Sequence, residues 1–397
     1  MSPVAHRLGV PLATLGGFAL AAAVFLAAGR GWAPAAADAG GGGAPLDTTD
    51  PRRAENLARR GAAVFATALS PADGLGPLYN GTACIDCHGS PVAGGMGPDG
   101  LATVLRVGQL SDGGFDPLVG RGGPVARAHS VAELGLPCQL EPGIPAGANV
   151  TSVRNAPALF GAGLIEAIPD EVILAGAVPR ADGVQGRPNL VPAPDGRERV
   201  GRFGWKADTP SLQLFVADAL RNEHGITSPL APAANLPATP EGAPRCAGAS
   251  DAPKDDGQRV DALTAYVAAL PAPAPFEAGS TGPVGEALFR DVGCAACHTP
   301  TLPAGHADVP LYSDLLLHDM GRSLDDAVVQ GQARGLDWRT TPLWGLSGRA
   351  RFLHDGRART VQAAILAHAG EADPAVERFR ALANADREAL LTFVSSR

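Results

Sequence analysis

Two pentapeptides constrain this chain more than any other feature: Cys84-Ile-Asp-Cys87-His88 and Cys294-Ala-Ala-Cys297-His298. Cys-x-x-Cys-His is the attachment spacing of c-type haem. Two thiols three positions apart each bond one vinyl group of a porphyrin, and the adjacent imidazole becomes an axial ligand of the iron. A zinc knuckle would need four ligands close in sequence, and neither motif has a second Cys or His pair nearby. A thioredoxin-like pair would follow a strand in a βαβ unit, and no such unit is legible. The motifs therefore predict two covalently bound haem c groups, one on Cys84 and Cys87, the other on Cys294 and Cys297. His88 and His298 are the proximal iron ligands of this reading.

The chain has 397 residues, room for two or three domains. Its 51 Gly and 36 Pro predict that long stretches are loops. The formal net charge of −8, deepened by haem propionates, excludes a basic nucleic-acid surface. At the N-terminus Arg7 precedes an uncharged, mainly apolar run from Leu8 to Gly29, then Ala33-Pro-Ala-Ala-Ala37 with its Ala-x-Ala pattern. Residues 1–37 read as a signal peptide cleaved near Ala37, the alternative being an uncleaved membrane anchor. Either way the protein is expected in the periplasm, held at the inner membrane only if the segment stays. Once the haem thiols are set aside, Cys138 and Cys246 remain. In an oxidising compartment they predict a disulfide closing a long loop, against the alternative of two unpaired structural thiols.

Residues 38–49 read as a flexible tether, and Asp50-Pro51 as a helix start, an N-cap acceptor followed by Pro at the first helical position. Leu57, Val64, Phe65 and Ala68 place an apolar stripe on that helix. A helix carrying Val260, Leu263, Val267 and Leu270 and stopped by Pro271 closes the first unit. The second unit repeats the plan: a linker from Pro271 to Gly282, a short helix over Glu286–Phe289, the motif, and a final helix capped by Asn384 with Leu390, Phe393 and Val394 on one face. The expected fold is mainly α, two cytochrome c-like domains over 50–275 and 276–397, with a large Gly/Pro-rich insertion in the first over about 100–250. Packing between the units is the plain reason for such an insertion; a function beyond electron carriage is the other.

Several segments resemble the bacterial di-haem c-type oxidoreductases described as peroxidases or thiol oxidoreductases, distant relatives of the di-haem cytochrome c peroxidases. They are Arg154-Asn-Ala-Pro through Glu166, Gly201-Arg-Phe-Gly-Trp-Lys206, Asp314-Leu-Leu-Leu-His-Asp-Met-Gly321 and Trp338 to Gly345. Phe352-Leu-His-Asp-Gly-Arg-Ala-Arg-Thr360 and Ala-His368-Ala-Gly-Glu-Ala372 complete the set. The resemblance runs from the first haem motif to the C-terminus.

What remains open is the distal side of each iron, because a haem with two strong ligands passes electrons and one with a vacant position activates a small molecule. Outside the motifs the chain offers His6, His129, His224, His306, His318, His354 and His368, with Met96 and Met320, and His6 goes with the signal. For the second haem the resemblance favours His368, where the related peroxidases place Met, with Met320 or His318 next. His354 reads as a structural imidazole bonded to backbone in its turn. For the first haem those peroxidases carry a His near the position of Val104, where this chain has none. That departure implies a five-coordinate first haem, or ligation from further away by Met96 or His224. The resemblance also makes Glu166 the acid/base for peroxide cleavage, against an ion pair with an Arg such as Arg154. Trp205 becomes a candidate electron relay between the haems, against simple interface packing.

The reading that follows is an exported di-haem peroxidase-like enzyme. A small soluble donor protein, a cytochrome c or cupredoxin, reduces the C-terminal haem. Electrons then pass to an open N-terminal haem that reduces a small oxidant such as hydrogen peroxide. The alternatives are a pure electron-transfer cytochrome with both irons six-coordinate, and an oxidase acting on an organic or protein substrate.

Overall fold

Asp50 caps the first helix as its sequence predicts, Oδ1 accepting from Arg52 N at 2.9 Å with Pro51 in the first turn. The computed structural model describes residues 50–397 apart from 101, 181, 238–245 and 247–253. Residues 1–37, read as a signal peptide, and 38–49, read as a tether, lie outside the described residues. In chain order the helices are α1 Pro51–Ala66, α2 Cys84–His88, α3 Ala162–Glu166, α4 Asp170–Gly176, α5 Leu212–Glu223 and α6 Gln258–Ala269. They continue with α7 Gly282–Asp291, α8 Val361–Ala367, α9 Asp373–Ala381 and α10 Asn384–Ser395. None of the described helices is long and apolar enough to cross a membrane.

The mainly α expectation is overturned: the fold is mixed α/β, with several small sheets. The largest sheet lies inside the stretch read as a Gly/Pro-rich insertion. Its central strand β1 (Thr103–Ser111) pairs antiparallel with β2 (Gly114–Asp116), β3 (Val125–Ala126) and β4 (Val150–Asn155). The β1–β4 register runs from Thr103 opposite Asn155 to Gly108 opposite Val150. The reason is local. Val104, Val107, Val125, Val150 and Val153 occur in short β-branched runs, and the Gly and Pro between them mark strand ends rather than absence of structure. Gly108 sits mid-strand because the Phe115 ring lies over its bare Cα. A second ladder joins β5 (Leu317–Asp319) to β6 (Asp337–Arg339), with His318 opposite Trp338.

Each haem motif follows a helix that a later helix crosses at a glycine. A Cβ on Gly61 of α1 would run into the Ala262 carbonyl of α6, and one on Gly285 of α7 into the Ala389 carbonyl and the Phe393 side chain of α10. Close crossing needs the missing side chain at both points. Phe65 and Gly61 are the buried residues of α1, while Ala68 falls past its end and is exposed. Val260, Leu263, Val267 and Leu270 are all buried, and α6 ends where Pro271 predicts. On α10 the cap is Ala383 and Asn384 is the first helical residue, so the predicted Asn cap is displaced by one.

The main core gathers Phe65, Ile165, Leu212, Leu220 and Leu263 with Leu311, Leu315 and Leu316 from far downstream. The second holds Phe289, Phe379, Leu390, Phe393 and Val394. Leu311–Leu316 thus carries the neighbourhood of the second motif into the first core. Cys138 and Cys246, separated by 108 residues, are brought to bonding distance.

Candidate haem sites

The first motif is one short helix, α2, held by its own Asp86: Oδ2 accepts from Ala83 N at 3.1 Å. Cys84 and Cys87 are not bonded to each other, nor are Cys294 and Cys297. Burial pushes the Cys84 and Cys294 thiols up to about 12 and that of Cys87 up to about 11, so all three stand as neutral thiols. The His88 ring meets Gly95 O through Nδ1 at 3.4 Å, and His298 meets Tyr312 O through Nδ1 at 2.9 Å. Burial pushes both imidazoles down to about 4, so both are neutral. A neutral ring anchored through Nδ1 presents Nε2 as a lone-pair donor, the form an axial ligand needs.

Beside the second motif lies a cavity of about 280 Å³. Cys294, Cys297, His298, Phe352 and His368 line it, together with Trp205, Trp344, Leu159, Phe160 and Met96. Two free thiols on one turn, a Nδ1-anchored imidazole and an adjoining apolar cavity fit a macrocycle attached at its rim. Among the described residues no group of three or more His, Cys, Asp or Glu is placed to hold a bare metal ion.

The remaining histidines now separate. His368 follows α8, half-buried, its Nδ1 on Ala364 O at 2.6 Å, and it shares the second cavity with His298. His224, 5% exposed, has Nδ1 on Gly81 O at 2.8 Å and Nε2 3.8 Å from Cys84 Sγ. These two repeat the anchoring of His88 and His298. His318 does not: Nε2 faces Asp314 Oδ2 at 2.9 Å and Nδ1 faces Glu371 Oε2 at 2.8 Å. Burial works against its charge, but the carboxylates raise it to about 12, so it is an imidazolium with no lone pair for iron. His354 is buried, its ring stacked on Trp338 at 3.8 Å between centroids rather than bonded to backbone. His129 pairs with Glu133 in solvent, and His306 is exposed. Met96 is buried and lines the cavity, and Met320 is half-buried on its wall.

Glu166 ends α3, and its Oε2 accepts from Leu212 N at 3.0 Å, the first residue of α5. Burial pushes its carboxyl up, and the Arg202 guanidinium offsets this in part. Its neighbours Ala162, Ile165 and Leu212 line the cavity. Arg154 is not its partner; that guanidinium pairs with Asp326. Trp205 is half-buried on the cavity wall, Nε1–H donating to Asn155 O at 2.8 Å. Sequence reasoning missed the shell around Trp338: Arg154 lies 4.5 Å and Lys206 Nζ 4.1 Å from the ring centroid. Lys206 is fully buried, donating to the carbonyls of Arg334, Gly335 and Asp337 and pairing with Asp326 at 3.2 Å. In the sequence Lys206 and Trp338 stand out only as parts of segments that carry the resemblance, and nothing there brings them to Arg154 and His354.

Residues 149–397, which include the second motif and both its imidazole candidates, match the family described as "Di-haem oxidoreductase, putative peroxidase". The chain belongs to this family. It is therefore a haem-dependent oxidoreductase built for two haems. No curated protein matches it. Solved structures similar to it include hydrazine synthase of Kuenenia stuttgartiensis, at 15% identity over 99% of this chain and 100% of that one, TM-score 0.41. The diheme peroxidase BthA of Burkholderia thailandensis is similar at 16% identity over 86% of this chain and 85% of that one, also at a TM-score of 0.41. Likeness at that level carries no argument about the reaction.

Proposed function

We propose that this di-haem oxidoreductase is an exported peroxidase. Cys84 and Cys87 hold one haem c with His88 as ligand, and Cys294 and Cys297 hold the other with His298. When bound, the haems would supply redox-active iron, the C-terminal centre serving a small donor protein and the N-terminal one hydrogen peroxide. His368 would be the second imidazole to hold the C-terminal iron, since it shares that cavity with His298 and keeps Nε2 free.

The observation that carries the reading is the position of His224. Its Nε2 lies against the Cys84 sulfur, and a thioether sulfur marks the rim of a haem, away from the iron. With His224 held at that sulfur, the first haem would stay open to an oxidant. Glu166 is the group that takes a proton from the near oxygen of peroxide and returns it to the leaving one. A carboxyl raised by burial is matched to that exchange better than an ordinary surface glutamate. Trp205, on the cavity wall, is the aromatic placed to relay electrons between the centres. The Cys138–Cys246 pair is a disulfide in this reading, as an oxidising compartment favours.

The same histidine favours a second reading. Buried and anchored through Nδ1, His224 has the posture of a ligand, and on the iron it would make the protein a pure electron carrier. Stopped-flow mixing of the fully reduced, haem-loaded protein with hydrogen peroxide separates the two. The peroxidase reading predicts fast reoxidation of both haems, one peroxide consumed per two electrons with two protons taken up and two waters formed. Reoxidation no faster than that of a six-coordinate cytochrome c would establish the carrier.

A further inference from the structure

Both ring nitrogens of His318 are engaged by carboxylates, and ionised carboxylates only accept, so both nitrogens donate. Each carboxylate is fastened to a segment bearing one imidazole of the second haem. Asp314 N donates to the carbonyl of Cys297 at 3.0 Å, one residue before His298, while His298 itself is anchored on Tyr312 O. Glu371 follows His368 by one short turn, and it accepts from Asp319 N at 3.0 Å and from Gln185 N at 2.9 Å. The His318 ring is 1% exposed and also lies 3.5 Å from Cys297 Sγ. The turn carrying His368 and the turn carrying His298 are thus joined through one buried ring. Parting them would leave the two donating nitrogens of a buried ring without their acceptors, which makes the joint stiff. A ring that merely filled space would need neither bond.

We infer that His318 is a positioning residue for the second haem: with Asp314 and Glu371 it clamps the His368 turn against the His298 turn, so that both imidazoles reach one iron. This rests on His368 being the sixth ligand. The test is the absorption and electron paramagnetic resonance spectra of full-length, haem-loaded protein with His368→Ala, His318→Leu, Glu371→Ala and Glu371→Gln. His368→Ala should turn the second haem high-spin without loss of covalent attachment. His318→Leu and Glu371→Ala should each lose most of that haem's low-spin signal, with haem content and the first haem's signals unchanged. Glu371→Gln keeps an acceptor oxygen and should keep most of the signal. If His368→Ala converts the haem while His318→Leu and Glu371→Ala match wild type, the clamp is refuted. If His368→Ala changes nothing, the ligand reading fails and the clamp with it. Should His318→Leu not fold, Glu371→Ala decides by the same signal.

Discussion

At the scale of single residues, what distinguishes the histidines is which nitrogen is already spoken for. His88, His224, His298 and His368 each give Nδ1 to a backbone carbonyl and keep Nε2; His318 gives both nitrogens to carboxylates. None of these anchors could be read from sequence, where the resemblance alone ranked His368 ahead of His318 for the second haem and offered His224 for the first. Glu166 carries the sharpest residue-level expectation. Glu166→Gln should leave haem content and spectra unchanged and slow peroxide turnover about 100-fold or more. Because burial raises its carboxyl and the reaction first needs the ionised form, turnover should fall as pH drops through a value above the ordinary glutamate range of about 4.3. A pH–rate profile in which that acid limb survives in the glutamine variant would assign the limb, and the role, to another group.

At the scale of elements, the two crossings at Gly61 and Gly285 are the repeated unit of the fold. At Gly61 an added methyl meets backbone, which cannot swing aside as a side chain can. Gly61→Ala should therefore cost about 1–3 kcal/mol, while Gly113→Ala, exposed in a turn with only the Ser111 hydroxyl near, should be close to neutral. Denaturant unfolding of the haem-loaded variants reads both; equal stabilities would mean that α1 and α6 can part without loss. The helices that cross at Gly61 and Gly285 were legible because their signals are local: Asp50-Pro51, the Val260–Leu270 periodicity, Pro271. The sheet was not. Most of its strands are short, paired residues such as Thr103 and Asn155 lie far apart in sequence, and Gly and Pro at strand ends look the same in a loop. The pairing of Asp314 with Glu371 through His318 is longer-ranged still, and only the folded chain shows it.

At the scale of the whole molecule, the account is an asymmetry between two centres built on one plan. The motifs supply the proposed points of haem attachment, and the resemblance of the segments around Arg154, Lys206, Trp338 and His354 pointed to the family that residues 149–397 match. Where the spare imidazoles lie depends on tertiary placement: His368 shares a cavity with His298, whereas His224 stands beside the Cys84 sulfur. The most direct test is the electron paramagnetic resonance spectrum of the ferric, fully haem-loaded protein, repeated after one electron per molecule. The account predicts one high-spin iron and one low-spin bis-imidazole iron. Two low-spin irons in the ferric protein, with no high-spin signal after reduction, would contradict it and make the protein an electron carrier.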